Sequence, residues 1–280
     1  MNIKEQIKRI TPPKIWNFLR HYKVIISDVF HNLGKKVCVI NYCGFSVSYL
    51  PGDILIKKIK KSNLFEEKMC KSIEFDLEKK ELPVFVDIGS NIGLISLYLL
   101  SKNKNIKIFA FEPGVYQREM FKKTIINNNI RNIFLNQSAL GDDNKKVSFI
   151  SHFSPDSSGD GFVDTGRAGM AIPTSVDMIT FDSWWIHNNK PKIDVMKIDT
   201  EGSELLILRG AKNTLSICKP VIYIEIEPKN LKVYPYGRED VLSWFEQNNY
   251  FLYTLDNDIC TKENFHSFVG KYDTYIARPK

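Results

Sequence analysis

The stretch VFVDIGSNIGLISLYLL, residues 84–100, runs three apolar residues into Asp87, then Gly89 and Gly93, then an apolar pattern with helical spacing. It reads as a buried strand, a glycine turn and a helix. Strands of similar character are expected at Ile106–Phe111, Ile133–Leu135, Ile193–Asp199, Val221–Glu227, Tyr250–Leu255 and Tyr272–Ala277, with helices near 92–102, 117–128, 203–209 and 238–248. Continuous apolar strands alternating with helices predict a mostly parallel sheet covered on both faces. The expected fold is therefore α/β and Rossmann-like, with seven strands. No helix pattern separates the last two strands, so that end of the sheet is expected to be partly antiparallel.

Upstream of residue 84, VCVINYCGFSVSYLPGD predicts a short hairpin, and residues 62–82 predict one helix carrying Leu64, Met69 and Ile73 that ends near Pro83. This divides the chain into an N-terminal arm with a hairpin, residues 1–60, and a main domain, residues 61–280. A stretch rich in Gly, Ser and Asp after the third strand reads as an inserted loop over 151–178, the kind of insertion that often covers a site.

At 280 residues, 43% hydrophobic and 25% charged, the chain has the composition of a globular protein able to bury a core. Five cysteines (Cys38, Cys43, Cys70, Cys218, Cys260) form no CxxC pair, which argues against a disulfide framework or a zinc knuckle and fits a reducing cytoplasm. No leader and no membrane span is read, so a cytoplasmic protein is expected. The net charge is +7, and residues 1–36 hold eight basic residues against two acids, a balance of six positive charges. The remainder is nearly neutral, so nucleic acid is not an expected partner. In the arm, Thr11 reads as an N-cap, Pro12 as a first helical residue, and Ile15, Leu19, Tyr22 and Ile26 share one face. Such a helix either packs on the main domain or rests on an anionic membrane surface.

Ligands of doubly wound sheets bind beyond the carboxyl ends of the strands, where strand order reverses. The turn here, Asp87-Ile-Gly89-Ser-Asn91-Ile-Gly93, lacks the G-x-G-x-x-G spacing that brings backbone to a pyrophosphate, and it is not a G-x-x-x-x-G-K-[ST] loop. The next strand ends in Glu112, placed to accept both hydroxyls of a ribose. Together these point to an adenosine-type ligand without a bound pyrophosphate.

With FVDIGSNIG, FAFEP, LNQSALGD and above all IDVMKIDTEGSELLILRGA, the chain resembles class I S-adenosylmethionine-dependent methyltransferases, and within them the FkbM family, over roughly residues 80–230. Asn91, where the wider superfamily has a central glycine, looks like the FkbM habit. The resemblance implies that Asp87 and the amides around Gly89, Asn91 and Gly93 hold the amino-acid end of S-adenosylmethionine. Glu112 would take the ribose, and Ser138, Ala139 and Asp142 would border the adenine. For Ser138 and Asp142, plain turn chemistry is the alternative.

Lys197 and Asp199 share one face of the fourth core strand, with Glu201 and Glu204 just beyond it. Methyl transfer from a sulfonium chiefly needs alignment, and a weakly nucleophilic hydroxyl also benefits from a base. Asp199 is the first candidate for that base, Glu201 the second, and Lys197 an orienting or charge-balancing group. Glu204 reads either as part of this cluster or as a favourable charge at a helix N-terminus. No metal is expected as a resident cofactor. Were a divalent cation used, Asp199 and Glu225 would be its ligands, and the five scattered histidines offer no transition-metal site. The family resemblance implies O-methylation of a hydroxyl on a sugar or a natural product. The expected acceptor is a sugar of a bacterial surface polysaccharide or glycolipid, reached at the inner membrane surface through the basic arm. A small natural product, or a non-catalytic binding module on the same scaffold, is the alternative.

Overall fold

The computed structural model describes residues 36–152, 160–163 and 171–280. The basic arm and, from the inserted segment, Phe153, Arg167 and Met170 lie outside the described residues. The first strands, β1 (Cys38–Tyr42) and β2 (Phe45–Tyr49), form the expected hairpin. Both of its central residues, Cys43 and Gly44, have positive φ, the geometry that matches the twist of paired strands.

Helix α1 (Ile54–Ser62) follows, its N-terminus capped by Asp53, which accepts from the Leu55 and Ile56 amides at 2.9 and 3.3 Å. Helix α2 (Glu67–Glu78) comes next. The helix expected over 62–82 is α2, which begins only at Glu67 and leaves Leu64 outside it, because Asn63 (φ 64°) and Glu66 (φ 45°) turn the backbone left-handed ahead of it. Leu50, Ile56 and Ile59 are buried in the same core as Phe85 and Ile108. The hairpin and α1 therefore pack into the body that extends from Val39 to Lys280, although the sequence reading grouped them with the arm.

The alternation then runs β3 (Val84–Ile88), α3 (Leu94–Lys102), β4 (Lys107–Phe111), α4 (Val115–Asn127), β5 (Ile133–Asn136) and β6 (Ala139–Leu140). After β7 (Lys145–His152), β8 (Ala171–Ile179) and α5 (Phe181–His187), it resumes with β9 (Val195–Ile198), α6 (Glu204–Gly210), α7 (Lys212–Cys218) and β10 (Val221–Glu225). The last elements are α8 (Pro228–Leu231), α9 (Arg238–Gln247), β11 (Tyr250–Thr254), β12 (Ile259–Cys260) and β13 (Thr274–Pro279). The main sheet has the order β12-β11-β13-β10-β9-β3-β4-β5. It is parallel from β10 to β5, while β13 runs antiparallel to both β10 and β11. The seven expected strands are present, and the two-residue β12 adds an eighth at the edge. Strand order reverses between β3 and β9, the switch point at which such sheets bind ligands.

Period-2 alternation divides the core. Val86, Ile88, Met196, Ile198, Ile222 and Ile224 face one layer of helices with Leu208 and Phe245; Phe85, Val195, Tyr223 and Ile276 face the other with Ile73, Leu97 and Phe121. Asp87 and Lys197 are cross-strand neighbours in the register of β3 on β9, and by parity they lie on the second face. On that face the Tyr223 hydroxyl donates to Asp76 at 2.6 Å, and Arg278 makes two bonds to the same carboxylate, tying α2 to the sheet.

The segment read as an inserted loop is structured at its ends. Strands β7 and β8 pair antiparallel, and β6 runs parallel to β8 in a separate three-stranded sheet. Residues 160–163 return to this sheet through reciprocal bonds between Ile150 and Gly161. Among the described residues no helix is long and apolar enough to cross a membrane.

Candidate active site

Asp87, Glu112, Asp199 and Glu225 all stand at the carboxyl ends of neighbouring parallel strands. There the Asp199 amide donates to Ile88 O at 3.1 Å and the Gly89 amide to Phe111 O at 3.0 Å. A cleft of about 790 Å³ opens over this edge. Of the two glycines of the turn, Gly89 lines it and Gly93 does not. A Cβ on Gly89 (φ 72°) would overlap the Asp199 carbonyl oxygen, and one on Gly93 (φ 84°) would overlap the Phe121 ring. What approaches closely is protein: the missing side chains let β9 and α4 close against the turn. The Gly93 amide donates to Ser90 O at 2.8 Å, so one glycine amide is occupied by β4 and the other within the turn.

Beyond the turn, Leu94 and Ile95 of α3 line the cleft, and the helix begins at Gly93 without a side-chain cap. An uncapped helix N-terminus suits a carboxylate. Glu112, 6% exposed, accepts from the Asn91 amide through Oε2 at 2.8 Å and from the Gly114 amide through Oε1 at 2.7 Å. Each oxygen keeps a further lone pair, so two adjacent hydroxyls can still be accepted. Burial pushes its carboxyl up to about 7 against the pull of those amides, with Asp160 adding to the rise. Ser138 and Ala139 line the same end of the cleft, with Phe111, Pro113 and Gln117. The Gln117 amide group donates to Asp160 Oδ2 at 2.8 Å, which holds the returning strip 160–163 over this end.

Lys197 is 3% exposed and lies at the centre of the site. Its ammonium donates to Gly89 O at 2.9 Å, sits 3.4 Å from Asp87 Oδ1 and pairs with Asp199 Oδ2 at 3.1 Å. Burial alone would lower this ammonium, but Asp199, Asp87 and Glu66 outweigh it and hold it above its usual range. Asp87, fully buried, also accepts from the Ser96 hydroxyl at 2.6 Å. It lies behind the turn and fixes Lys197 and α3, without lining the cleft. Asp199 is different: its side chain is 32% exposed and opens into the cleft while the lysine grips one oxygen.

The loop after Asp199 is shaped by Glu204. Its Oε1 accepts from the Thr200 amide at 2.9 Å, the Thr200 hydroxyl at 3.1 Å and the Gly202 amide at 3.1 Å. Burial pushes this carboxyl up to about 7, with those amides opposing. Of the two sequence readings of Glu204, the structural one describes where it sits. Glu201 lines the cleft with a left-handed backbone, φ 58°, and Tyr236 donates to Gly202 O at 2.6 Å from behind. Glu225 lines the far side, where the Asn230 amide group donates to its Oε2 at 3.0 Å. Among the described residues no three His, Cys, Asp or Glu side chains gather as a cation site. Asp142 is exposed on its turn and Gly93 lies beneath the surface, and neither lines the cleft.

Sequence reasoning missed the other half of the cleft. It is walled by Leu55 and Lys58 of α1, by Phe65, Glu66 and Lys68 at the start of α2, and by Lys271–Thr274 before β13. Glu66 opens on the cleft, yet enough protein surrounds it that loss of water pushes its carboxyl up to about 7. Asp199 adds to the rise, while Lys197 and Lys58 oppose it.

A family profile described as the methyltransferase FkbM domain matches residues 87–252. The chain belongs to the FkbM methyltransferases, a family whose methyl donor is S-adenosylmethionine. "Methyltransferase 1" of Beauveria bassiana (strain ARSEF 2860) is 24% identical over 143 residues, 45% of this chain and 57% of the relative. The chain thus spans little more than half of that relative's length. The crystal structure of methyltransferase FkbM from Methylobacillus flagellatus KT aligns at a TM-score of 0.46 and 16% identity, over 70% of this chain and 43% of that one. Magnesium protoporphyrin IX methyltransferase from Synechocystis PCC 6803, solved with S-adenosylmethionine bound, aligns at 0.41 and 10% identity, over 81% and 85%.

Proposed function

We propose that this chain is an S-adenosylmethionine-dependent O-methyltransferase acting on a hydroxyl of a sugar in a bacterial surface polysaccharide or glycolipid. The observation that carries the reading is Asp199: a carboxylate half open to the cleft, ion-paired at 3.1 Å to a buried lysine, between the Glu112 end and the charged, aromatic rim. When bound, S-adenosylmethionine supplies an activated methyl group on a sulfonium. Glu112 would hold the ribose hydroxyls, the N-terminus of α3 the carboxylate, and Ser138 and Ala139 the edge of the adenine. The chain's own contribution at the acceptor is Asp199, which receives the proton of the acceptor hydroxyl as its oxygen becomes nucleophilic. Lys197 fixes that carboxylate by pairing with one of its oxygens, leaving the second for the acceptor. Glu201, on the same loop, is the second candidate for the base.

The sugar assignment draws on the family resemblance and on a rim that mixes aromatic rings with paired charges. The membrane-borne setting draws on the basic arm, because lysines and arginines near an anionic surface contribute roughly 1 kcal/mol each. Incubating the protein with methyl-labelled S-adenosylmethionine and fractionated glycolipid, polysaccharide and small-molecule extracts tests the reading. Label is expected in a carbohydrate-bearing fraction. Label confined to protein, nucleic acid or non-carbohydrate small molecules contradicts it. Deleting residues 1–26 is expected to weaken transfer to the membrane-borne acceptor more than to a soluble fragment of it, and equal losses would make the arm a structural element only.

A further inference from the structure

Four neighbouring strands bring one row of residues to the cleft: Gly89 after β3, Asp199 after β9, Glu225 at the end of β10 and Thr274 at the start of β13. The register sets this row. Asp87, Lys197, Tyr223 and Ile276 are cross-strand neighbours in the order β3-β9-β10-β13, and Glu225 is itself paired with Thr274. One period of the pleat further on, Gly89, Asp199, Glu225 and Thr274 stand on the same face. The row behind them is buried, with none of its four members more than 3% exposed, so the front row has a fixed base. Adjacent strands lie about 4.8 Å apart. Glu225 therefore stands one strand spacing beyond Asp199, on the side away from the glycine turn. Two further contacts hold these carboxylates. Lys197 pairs with Asp199 Oδ2 at 3.1 Å, and the Asn230 amide group, from α8, donates to Glu225 Oε2 at 3.0 Å. Both anchors are buried, Lys197 3% and Asn230 1% exposed. Asn230 also presses on the loop that follows Asp199, where a Cβ on Gly202 would come within 2.8 Å of its carbonyl oxygen. The two carboxylates are thus fixed relative to one another by the sheet in front and by α8 behind.

We propose that Glu225 is a specificity residue: it accepts a hydrogen bond from a second hydroxyl of the sugar whose first hydroxyl Asp199 deprotonates, and so decides which hydroxyl faces the methyl group. The proposal rests on the sugar reading above and narrows it to a sugar with at least one further free hydroxyl. Order along the row assigns the roles. Asp199 is the carboxylate nearer the glycine turn and hence the cofactor end, so it receives the proton. Glu225, one strand farther out, binds without proton transfer. A carboxylate oxygen that accepts one amide can accept a hydroxyl as well. The Thr274 hydroxyl, next in the row, continues a polar ledge along which a sugar lies edge-on. A site built to hydrogen-bond a hydroxyl discriminates strongly against an acceptor that lacks it.

The test compares Glu225→Ala and Glu225→Gln with the wild type on whichever carbohydrate fraction takes up label. Glutamine keeps the length of the side chain and an oxygen for the Asn230 amide, so the end of β10 holds in that variant. Glu225→Ala is expected to raise KM for the acceptor about tenfold or more, the loss of one hydrogen bond to a charged group, and Glu225→Gln to raise it less. The change in kcat should be far smaller than in Asp199→Asn, and S-adenosylhomocysteine affinity should stay at its wild-type value. An unchanged KM in both variants overturns the role of Glu225 while leaving the sugar reading intact. A fall in kcat as deep as that of Asp199→Asn also overturns it, because Glu225 would then take part in proton transfer. Activity lost to EDTA and restored by Mg²⁺ in the wild type but not in Glu225→Gln would make the pair a cation site, and overturns it as well. Hydrolysis and linkage analysis of the product should find a second free hydroxyl on the methylated sugar, and its absence overturns the proposal. Absence of label from every carbohydrate fraction overturns the sugar reading itself, and the proposal with it.

Discussion

The two halves of the cleft are built in different ways. At the Glu112 end, backbone amides and buried side chains determine the geometry: both Glu112 oxygens are held by amides, and the turn carries glycines that admit β9 and α4. At the Glu66 end, long charged side chains from α1, α2 and the segment before β13 form an open rim. Here Lys68 pairs with Asp256 at the surface, both side chains about half exposed. Lys197 and Asp199 form the seam, one buried and one half open. The comparison teaches where rigidity and adaptability lie. The first half is welded into the core, as the proposed cofactor end requires; the second alters at little cost to stability, as the proposed acceptor end allows.

Substitutions should therefore separate the halves by what they damage. The largest effect is expected at the seam. Asp199→Asn keeps size and removes the base, and kcat should fall about 10²–10⁴-fold with S-adenosylhomocysteine affinity within a few-fold of wild type. Steady-state kinetics and calorimetry on one preparation check both. Lys197→Met leaves Asp87 buried with its charge uncompensated, which costs about 3–5 kcal/mol. Urea unfolding should show that loss, whereas a loss below about 1 kcal/mol would mean the ion pair contributes little net stability.

A smaller effect is expected from pH at the Glu112 end. The folded-state carboxyl of Glu112 lies above its ordinary value, at about 7 against 4.5. The folded protein therefore binds this proton more tightly, and the associated stability is complete below about pH 4.5 and lost as pH rises through about 7. Glu112→Gln should flatten that decline by on the order of 1–2 kcal/mol between pH 5 and 7.5. Unfolding titrations at the two pH values measure it, and parallel curves for variant and wild type would contradict it. The smallest effect belongs to the rim. Lys68→Ala removes an exposed pair and should change stability by about 0–1 kcal/mol, with any kinetic change confined to acceptor KM. A drop of several kcal/mol in thermal unfolding would erase the contrast between the halves.

The same contrast explains what was legible in the sequence. Gly89, Asn91, Glu112, Lys197 and Asp199 lie in short contiguous motifs at strand ends, where period-2 parity already put Lys197 and Asp199 on one face. The packing role of the glycines was not legible, because nothing in a linear turn reveals that Asp199 and Phe121 press against it. The flanks of the inserted segment carried a signal that went unused: Val147 and Phe149 alternate with polar residues, and Thr180 precedes Phe181 as an N-cap whose side chain accepts from the Ser183 amide. The acceptor rim had no such signal. NLFEEK reads as the opening of one helix, and the left-handed turn at Glu66 sets its carboxylate on a cleft that Asp199 and Asp273 enter from more than a hundred positions away.

The central claim is that the Glu112 half is a preformed S-adenosylmethionine site independent of the rim. Calorimetric titration of wild type, Glu112→Ala and Glu66→Gln with S-adenosylhomocysteine, and of wild type with NAD, tests it most directly. One S-adenosylhomocysteine should bind per chain and NAD should not. Glu112→Ala should weaken binding at least about tenfold, the cost of a charged hydrogen-bond acceptor for the ribose, while Glu66→Gln leaves it unchanged. Binding of NAD alone, or equal affinity in wild type and Glu112→Ala, would contradict the account.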